Sequence, residues 1–262
     1  MMIAGLDLCR RIERSEAHAL RRLLEFGRER FPELHITVTE LDGVGIAGYA
    51  GQDSPFNQAV GIQRDLDERE IDEIVGFYRS RSSATAIVLA SFVEGDLRER
   101  LLMRGFEQAG SEHALVVDLA GRPLSFDPRV EVCVNSDEWA DHSAITFGAG
   151  YAAEPLRFIS GLMASDPSVT ALAIREYGQI LSTACLGKER DGIASLFADA
   201  TSPWARGRGF QSALIADRMA RARSAGATLA RATANPSTSS ERNYRKNGFE
   251  VLYSRTAWIL RK

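Results

Sequence analysis

The sequence has little cysteine and no long apolar run. Three cysteines, Cys9, Cys133 and Cys185, are spread over 262 residues. That is too few, and too widely spaced, for a disulfide framework or a Cys-x-x-Cys zinc or redox motif. They read as reduced, buried thiols. No apolar stretch approaches the roughly 18–20 residues needed to span a bilayer. The short apolar opening comes before Arg10 and Arg11, the reverse of a secretory leader, where basic residues lead. A cytoplasmic chain with no membrane partner is expected. Histidine is also scarce, with four residues. His113 and His142 stand outside any His-Glu-x-x-His spacing, so both read as surface or hydrogen-bonded side chains and no metal is expected. No Gly-x-Ser-x-Gly elbow occurs, which argues against an α/β-hydrolase. Neither charge sign dominates: 32 basic residues face 35 acidic ones, a net charge of −3. Nucleic acid is therefore not an expected partner. Arg218, Arg221 and Arg223 read as one solvated helix face.

What is present suits a soluble globular chain, 45% hydrophobic and 26% charged, long enough for two modest domains. Apolar spacing predicts helices over 5–30, 67–79 and 96–103 and strands over 35–41, 84–89 and 114–119. A glycine-rich stretch at 43–51 and a loop at 51–55 lie between the first strand and the second helix. Residues 120–128, with Gly121, Pro123 and Pro128, read as an interdomain linker, which places the domains at 1–124 and 129–262. Past it come a strand at 130–134, helices at 137–149 and 154–163, and an antiparallel meander of strands at 169–176, 179–186 and 193–201, with a turn at 188–192. One echo links the halves. A helix, then Arg104-Gly105-Phe106-Glu107, then a strand is answered by a helix, Asn247-Gly248-Phe249-Glu250 and a strand. The separation is too great for a solenoid, and two tandem copies of one fold would explain it.

The meander runs into Pro203-Trp204-Ala205-Arg206-Gly207-Arg208-Gly209-Phe210-Gln211, where a helix opens at about Gly209 and runs to about 225. Glycines at 207 and 209 let the backbone press against a ligand. The first amides of a helix lack intrahelical partners and face outward, aided by the helix dipole. A pyrophosphate is a natural guest, and Arg206 and Arg208 can add charge-assisted contacts. A P-loop would need Gly-Lys-Ser/Thr, and a dinucleotide fingerprint would need glycine at Ser212 within a parallel βαβ unit. A glycine turn that merely caps a helix remains the plain alternative. Farther on, after a short strand at 228–233, Thr238 and Glu241 have capping-box spacing, and Gly248 suits a left-handed helix stop.

The segment from Pro203 to Leu214 resembles the acyl-CoA pyrophosphate loop of GNAT acetyltransferases, whose motif is Arg/Gln-x-x-Gly-x-Gly/Ala. Arg206 and Gly209 match, and Gln211 replaces the last small residue. The block Asn235-Pro-Ser-Thr-Ser-Ser240-Glu-Arg-Asn243-Tyr244-Arg-Lys-Asn-Gly248-Phe249 resembles that family's Asn, helix, Gly-Phe ending. The resemblance covers about 130 residues. It implies an α/β (α+β mixed-sheet) fold of two tandem GNAT-like modules, mostly antiparallel sheets flanked by helices, the first degenerate. It implies an N-acetyltransferase that moves acetyl from acetyl-CoA, its co-substrate, to a small-molecule or peptide amine by direct attack. The loop from Arg206 through Gly207, Arg208, Gly209, Phe210, Gln211 and Ser212 would hold the diphosphate. Ala200 and Thr201 would pair with the pantetheine arm where two strands splay, and Asn235 and Asn243 would approach it. Tyr244 would protonate the leaving thiolate or only pack its ring. Asp199 would act as base or be a solvated carboxylate, with Glu154 and Glu176 as more distant bases. The N-terminal half lacks such a loop before the 96–103 helix and is expected to hold no acyl-CoA. A non-catalytic acyl-CoA sensor, a nucleotide-binding module and a homodimer all stay open.

Overall fold

The computed structural model of the protein describes residues 5–147, 153–188 and 191–261. Residues 148–149 of the expected 137–149 helix, 189–190 of the expected turn and the first part of the apolar opening lie outside the described residues. Two compact units are present: Met1–His113 with Leu252–Lys262, and Ala114–Val251.

In the first unit α1 (Leu6–Arg30) buries Ile12, Leu20, Leu23 and Leu24 against β1 (Thr37–Glu40), β2 (Ile46–Tyr49) and β3 (Gln58–Ile62). The glycine-rich stretch at 43–51, for which no element was expected, contains β2. Glycine is needed there because α1 comes so close: a Cβ on Gly48 would stand 2.5 Å from the Leu24 side chain. β3 runs parallel to β4 (Thr85–Ala90), and α2 (Glu68–Arg79) joins them from an Asp67–Glu70 capping box. α3 (Leu97–Met103) stops at Gly105, φ 83°, and β5 (Glu107–Asp118) follows. Beside β4 lies the end of the chain, β11 (Glu250–Leu260), antiparallel from Arg255↔Ala90 to Leu260↔Thr85. The Tyr253 hydroxyl of β11 donates to Glu13 of α1 at 2.7 Å, and Arg255 pairs with Glu112 of β5.

The second unit orders its strands as β6 (Val130–Val132), β7 (Val169–Glu176), β8 (Gln179–Lys188), β9 (Ile193–Thr201) and β10 (Leu229–Ala234), followed by residues 114–118 of β5. β6 to β9 are an antiparallel meander, and β10 is parallel to β9. Helices cover both faces. α4 (Ser136–Phe147) and α5 (Ala153–Ser165) bury Trp139, Ile159 and Leu162. α6 (Phe210–Ser224) and α7 (Ser239–Lys246) close a core of Leu172, Ile174, Leu196, Leu214, Tyr244 and Phe249. Strand alternation sorts the faces: Thr183 meets His142 of α4, and its neighbour Ala184 belongs to the α6 core.

The antiparallel meander, the parallel pair joined by a helix and the helix-Gly-Phe-strand ending thus occur once in each half of the sequence. The compact units nevertheless cut the chain elsewhere than 1–124 and 129–262. β5 is divided near Ala114, and the closing residues from Leu252 go to the first unit. Residues 120–128, expected as a tether, lie inside the second unit. There Arg223 donates to the carbonyls of Arg122 and Leu124, and the Asp127 amide donates to Asp217 at 3.1 Å. A fragment of 125–262 lacks the β5 residues beside β10 and the β4 partner of its own last strand. It is expected to aggregate through those edges, as seen by sedimentation velocity. A monomeric, folded fragment would show instead that the two units are separable.

Candidate functional site

β9 and β10 pair only from Ile193↔Leu229 to Leu196↔Ala232, although β9 continues to Thr201. The cause is local. On the β8 side the register jumps from Cys185↔Phe197 to Thr183↔Ala200, and Ala198 adopts φ 55°. One extra residue in β9 makes a β-bulge, which bends the strand and re-aims side chains. Asp199 would face away from Leu196 on a regular strand. The bulge turns it to the α6 and α7 face, where its carboxylate meets Arg218 and accepts the Tyr244 hydroxyl at 2.6 Å.

Arg218 is fully buried, contrary to the solvated face expected for 218, 221 and 223. Its guanidinium donates to the carbonyls of Leu214 at 3.0 Å, Cys185 at 3.1 Å and Phe197 at 3.3 Å, besides the Asp199 carboxylate. Burial works against its charge, and Asp199 with Tyr244 more than offsets that, holding its pKa above the usual value. Arg221 pairs with Asp217, and Arg223 ties down residues 122–124, so all three arginines have structural partners. Tyr244 is 1% exposed and stacks edge-on against Phe249 at 5.0 Å. Its hydroxyl also reaches the Leu196 carbonyl, at 3.4 Å, where the β9–β10 pairing ends. Burial pushes the phenol well above its ordinary pKa. Tyr244 is thus a core residue packed on Phe249, with its hydroxyl near the end of the β9–β10 pairing and not among the cavity-lining residues.

After β9 a short 3-10 helix, Pro203–Ala205, turns the chain into the glycine loop. Gly207 and Gly209 take φ 77° and 78°, and a Cβ on either would meet nothing within 4 Å. α6 starts at Phe210 with Gly209 as its N-cap and no side-chain cap. Among the described residues, the amides from Gly207 to Ser212 donate to no backbone carbonyl; the first such bond is Ala213 to Gly209. These amides form an open concavity of donors at a positive helix end. It belongs to a cavity of about 550 Å³ lined by Asp199, Ala200, Thr201, Arg206, Gly207, Gly209, Phe210, Gln211, Ser212 and Asn243 among others.

Most of the expected residues thus come together. Arg208 points elsewhere: it pairs with Glu176, one of the distant base candidates, and lies 4.7 Å over the Phe210 ring. Asn235 is exposed and is not a wall residue; its carbonyl accepts the Thr238 hydroxyl at 2.7 Å. Glu154 is exposed in the first turn of α5. Gln211, the departure from the family's small residue, bridges two helices. It donates to Ser240 at 3.0 Å and accepts from Asn243 at 2.7 Å.

The sequence reading missed Ser239, Ser240 and Lys246, which line the cavity with Asn243. Their helical spacing on one face was the available signal. It also missed Thr146 and Phe147 of α4, for which no sequence signal existed. His142, a turn earlier on α4, bonds Ser202 at 2.9 Å and Thr183 at 3.4 Å; burial lowers its pKa, so the ring is neutral near pH 7. The first unit differs at the matching place. The α2 N-terminus carries its own carboxylates, with Glu70 accepting the Asp67 amide, Asp67 accepting the Glu70 amide, and Arg64 bonded to Glu70. Among the described residues, no cluster of His, Cys, Asp and Glu suits a metal, and no helix is long and apolar enough to cross a membrane.

An amide concavity at the mouth of an unzipped parallel strand pair marks the second unit as an α/β module with an open helix N-terminus. Residues 136–249 match the acetyltransferase (GNAT) family model, so the second unit holds a GNAT acetyltransferase domain. Among solved structures, a GCN5-related N-acetyltransferase from Kribbella flavida matches with a TM-score of 0.69 at 19% identity, covering 99% of this chain and 96% of its own. A tandem GNAT protein from the clavulanic acid biosynthesis pathway matches with a TM-score of 0.57 at 10% identity, covering 91% and 87%. These likenesses show the fold, two tandem modules included. No curated protein matches the chain in sequence.

Because the space above Gly209 is open while its φ is positive, Gly209→Ala isolates backbone strain. It is expected to lower stability by about 1–2 kcal/mol in chemical denaturation. An unchanged midpoint would mean that the left-handed geometry is not held.

Proposed function

We propose that the protein is an N-acetyltransferase that takes acetyl from acetyl-CoA and passes it to an amine. The observation that carries this is the run of unpaired amides from Gly207 to Ser212, opening into a cavity bounded by the unzipped part of β9. The diphosphate is gripped by those amides, with Arg206 beside them. The pantetheine arm runs along β9 beyond Leu196 and uses backbone groups of Ala200 and Thr201, with Asn243 on the opposite wall. Asn235 and Arg208 contribute less, since one is away from the cavity wall and the other is held by Glu176.

The amine nitrogen attacks the thioester carbonyl, the C–S bond breaks, and the sulfur leaves as a thiolate that needs a proton. Tyr244 is the donor in this reading; its hydroxyl is buried on Asp199 and does not line the cavity, so the splay has to expose it for the transfer. Asp199 serves to hold that hydroxyl. With Arg218 and Tyr244 on its oxygens it has little capacity left as the base, so the amine proton passes to water in the open cavity. The first unit, its matching helix end filled by Asp67 and Glu70, holds no acyl-CoA. Cytoplasmic residence suits the three free thiols. A non-catalytic acyl-CoA sensor is the second reading, favoured by one observation: Tyr244 and Asp199 already satisfy each other.

Acetyl-CoA titration and thiol release with a panel of amines separate the readings. Gly209→Asp is expected to abolish CoA binding by adding a strained, negatively charged side chain; near-normal affinity would remove the loop from the site. Tyr244→Phe is expected to cut turnover by about 100-fold, more than it lowers affinity. Equal turnover would strip the phenol of its role as acid, and binding without thiol release for every amine would leave the sensor.

A further inference from the structure

We propose that Arg218 is the positioning residue of this site, holding β9 apart from β10 so that the pantetheine arm can enter. The inference rests on the acyl-CoA reading above. Strands that part in a protein interior leave carbonyls without ladder partners, and such groups must be satisfied another way. Here the bulge at Ala198 and the end of pairing at Leu196 leave acceptors on β8 and β9. Arg218 takes the carbonyls of Cys185 and Phe197, and the Tyr244 hydroxyl, whose proton goes to Asp199, stands 3.4 Å from that of Leu196. Both side chains also converge on Asp199, whose side chain is 10% exposed and reaches the cavity wall.

Arg218 of α6 thus satisfies the carbonyls that the β8–β9 bulge leaves without ladder partners. Without it the bulge loses its donors, and a regular β9 paired with β10 beyond Leu196 is the competing arrangement that closes the gap. The planar fork of arginine can serve two carbonyls and a carboxylate at once. A lysine ammonium keeps the charge pair with Asp199 and has no fork to span the two strands. Arg218 is not among the cavity-lining residues, so it acts through Asp199 and the β9 backbone.

Calorimetric titration with two ligands tests this: acetyl-CoA, and 3′-phospho-ADP, which carries the diphosphate without the arm. In Arg218→Lys, acetyl-CoA affinity is expected to fall about tenfold or more while 3′-phospho-ADP affinity stays within about threefold. A parallel loss of both ligands, or of neither, overturns the proposal, because a purely structural role weakens the whole site alike. Should Arg218→Lys fail to fold, the Arg218→Met/Asp199→Asn double variant, which buries no lone charge, takes its place with the same expectation. Hydrogen exchange on the ligand-free protein gives an independent reading. The Thr233 and Ala234 amides are expected to exchange more slowly in the variant as the strands close, and unchanged exchange counts against the proposal. If wild-type protein binds neither ligand, the acyl-CoA reading fails on its own terms, while the exchange result still judges the role of Arg218.

Discussion

The buried contact of Arg218, Asp199 and Tyr244 is the constraint on which the second unit's architecture turns. A parallel strand pair would ordinarily run its full length, each carbonyl satisfied by its neighbour. Here β9 carries one residue too many at Ala198, and the bulge costs the ladder its continuity. The loss is tolerable because a guanidinium from α6 supplies donors to the Cys185 and Phe197 carbonyls, and a phenol from α7 holds the Asp199 carboxylate beside it. Such a knot is strongly coupled. Removing one member leaves a charge or carbonyl in a low-dielectric interior without compensation, and that typically costs about 3–5 kcal/mol for a buried pair.

Two consequences reach the cavity. The bulge turns Asp199 toward the α6 and α7 side, where it is engaged by its partners and ceases to be a free carboxylate. The end of pairing leaves Ala200 and Thr201 on the wall of a cavity whose other side is α7. Gln211 links the first turn of α6 to Ser240 and Asn243, so the amide concavity and the opposite wall are tied together. A residue larger than the family's usual one has thus been absorbed as a brace between helices.

The two units show how one pattern of elements can diverge. Each has a meander, a parallel pair and a helix joining that pair. In the second unit the helix opens on Gly209 with outward amides. In the first it opens on Asp67, whose carboxylate and that of Glu70 fill the same electrostatic role from within the chain. The helix dipole favours negative charge at both places; one module supplies it internally, and the other leaves the position open. The crossover helix of the first unit is α2, not the 96–103 helix, and it follows β3, a strand that the spacing of its residues does not announce.

Much of the element order was legible in the residues, since period and punctuation are local properties. The meander of β7, β8 and β9, the capped start of α7 at Thr238 and the glycine loop at 207–209 needed no neighbours to be found. The strand β2 was not legible, because Gly48 is there for the approach of α1, a contact made from far along the chain. The spacing of Arg218, Arg221 and Arg223 carried no mark of which would be buried; position 218 is interior only because the β9 bulge presents carbonyls and a carboxylate to it. Likewise, Glu250–Leu260 reads as a strand from its own residues, but its pairing with β4 joins segments far apart in the chain and is not a local property. The residues by themselves determined where backbone amides are left without partners. Which of the surrounding side chains remain available to a ligand was decided by packing, because a buried polar group must first satisfy whatever the fold has left unpaired.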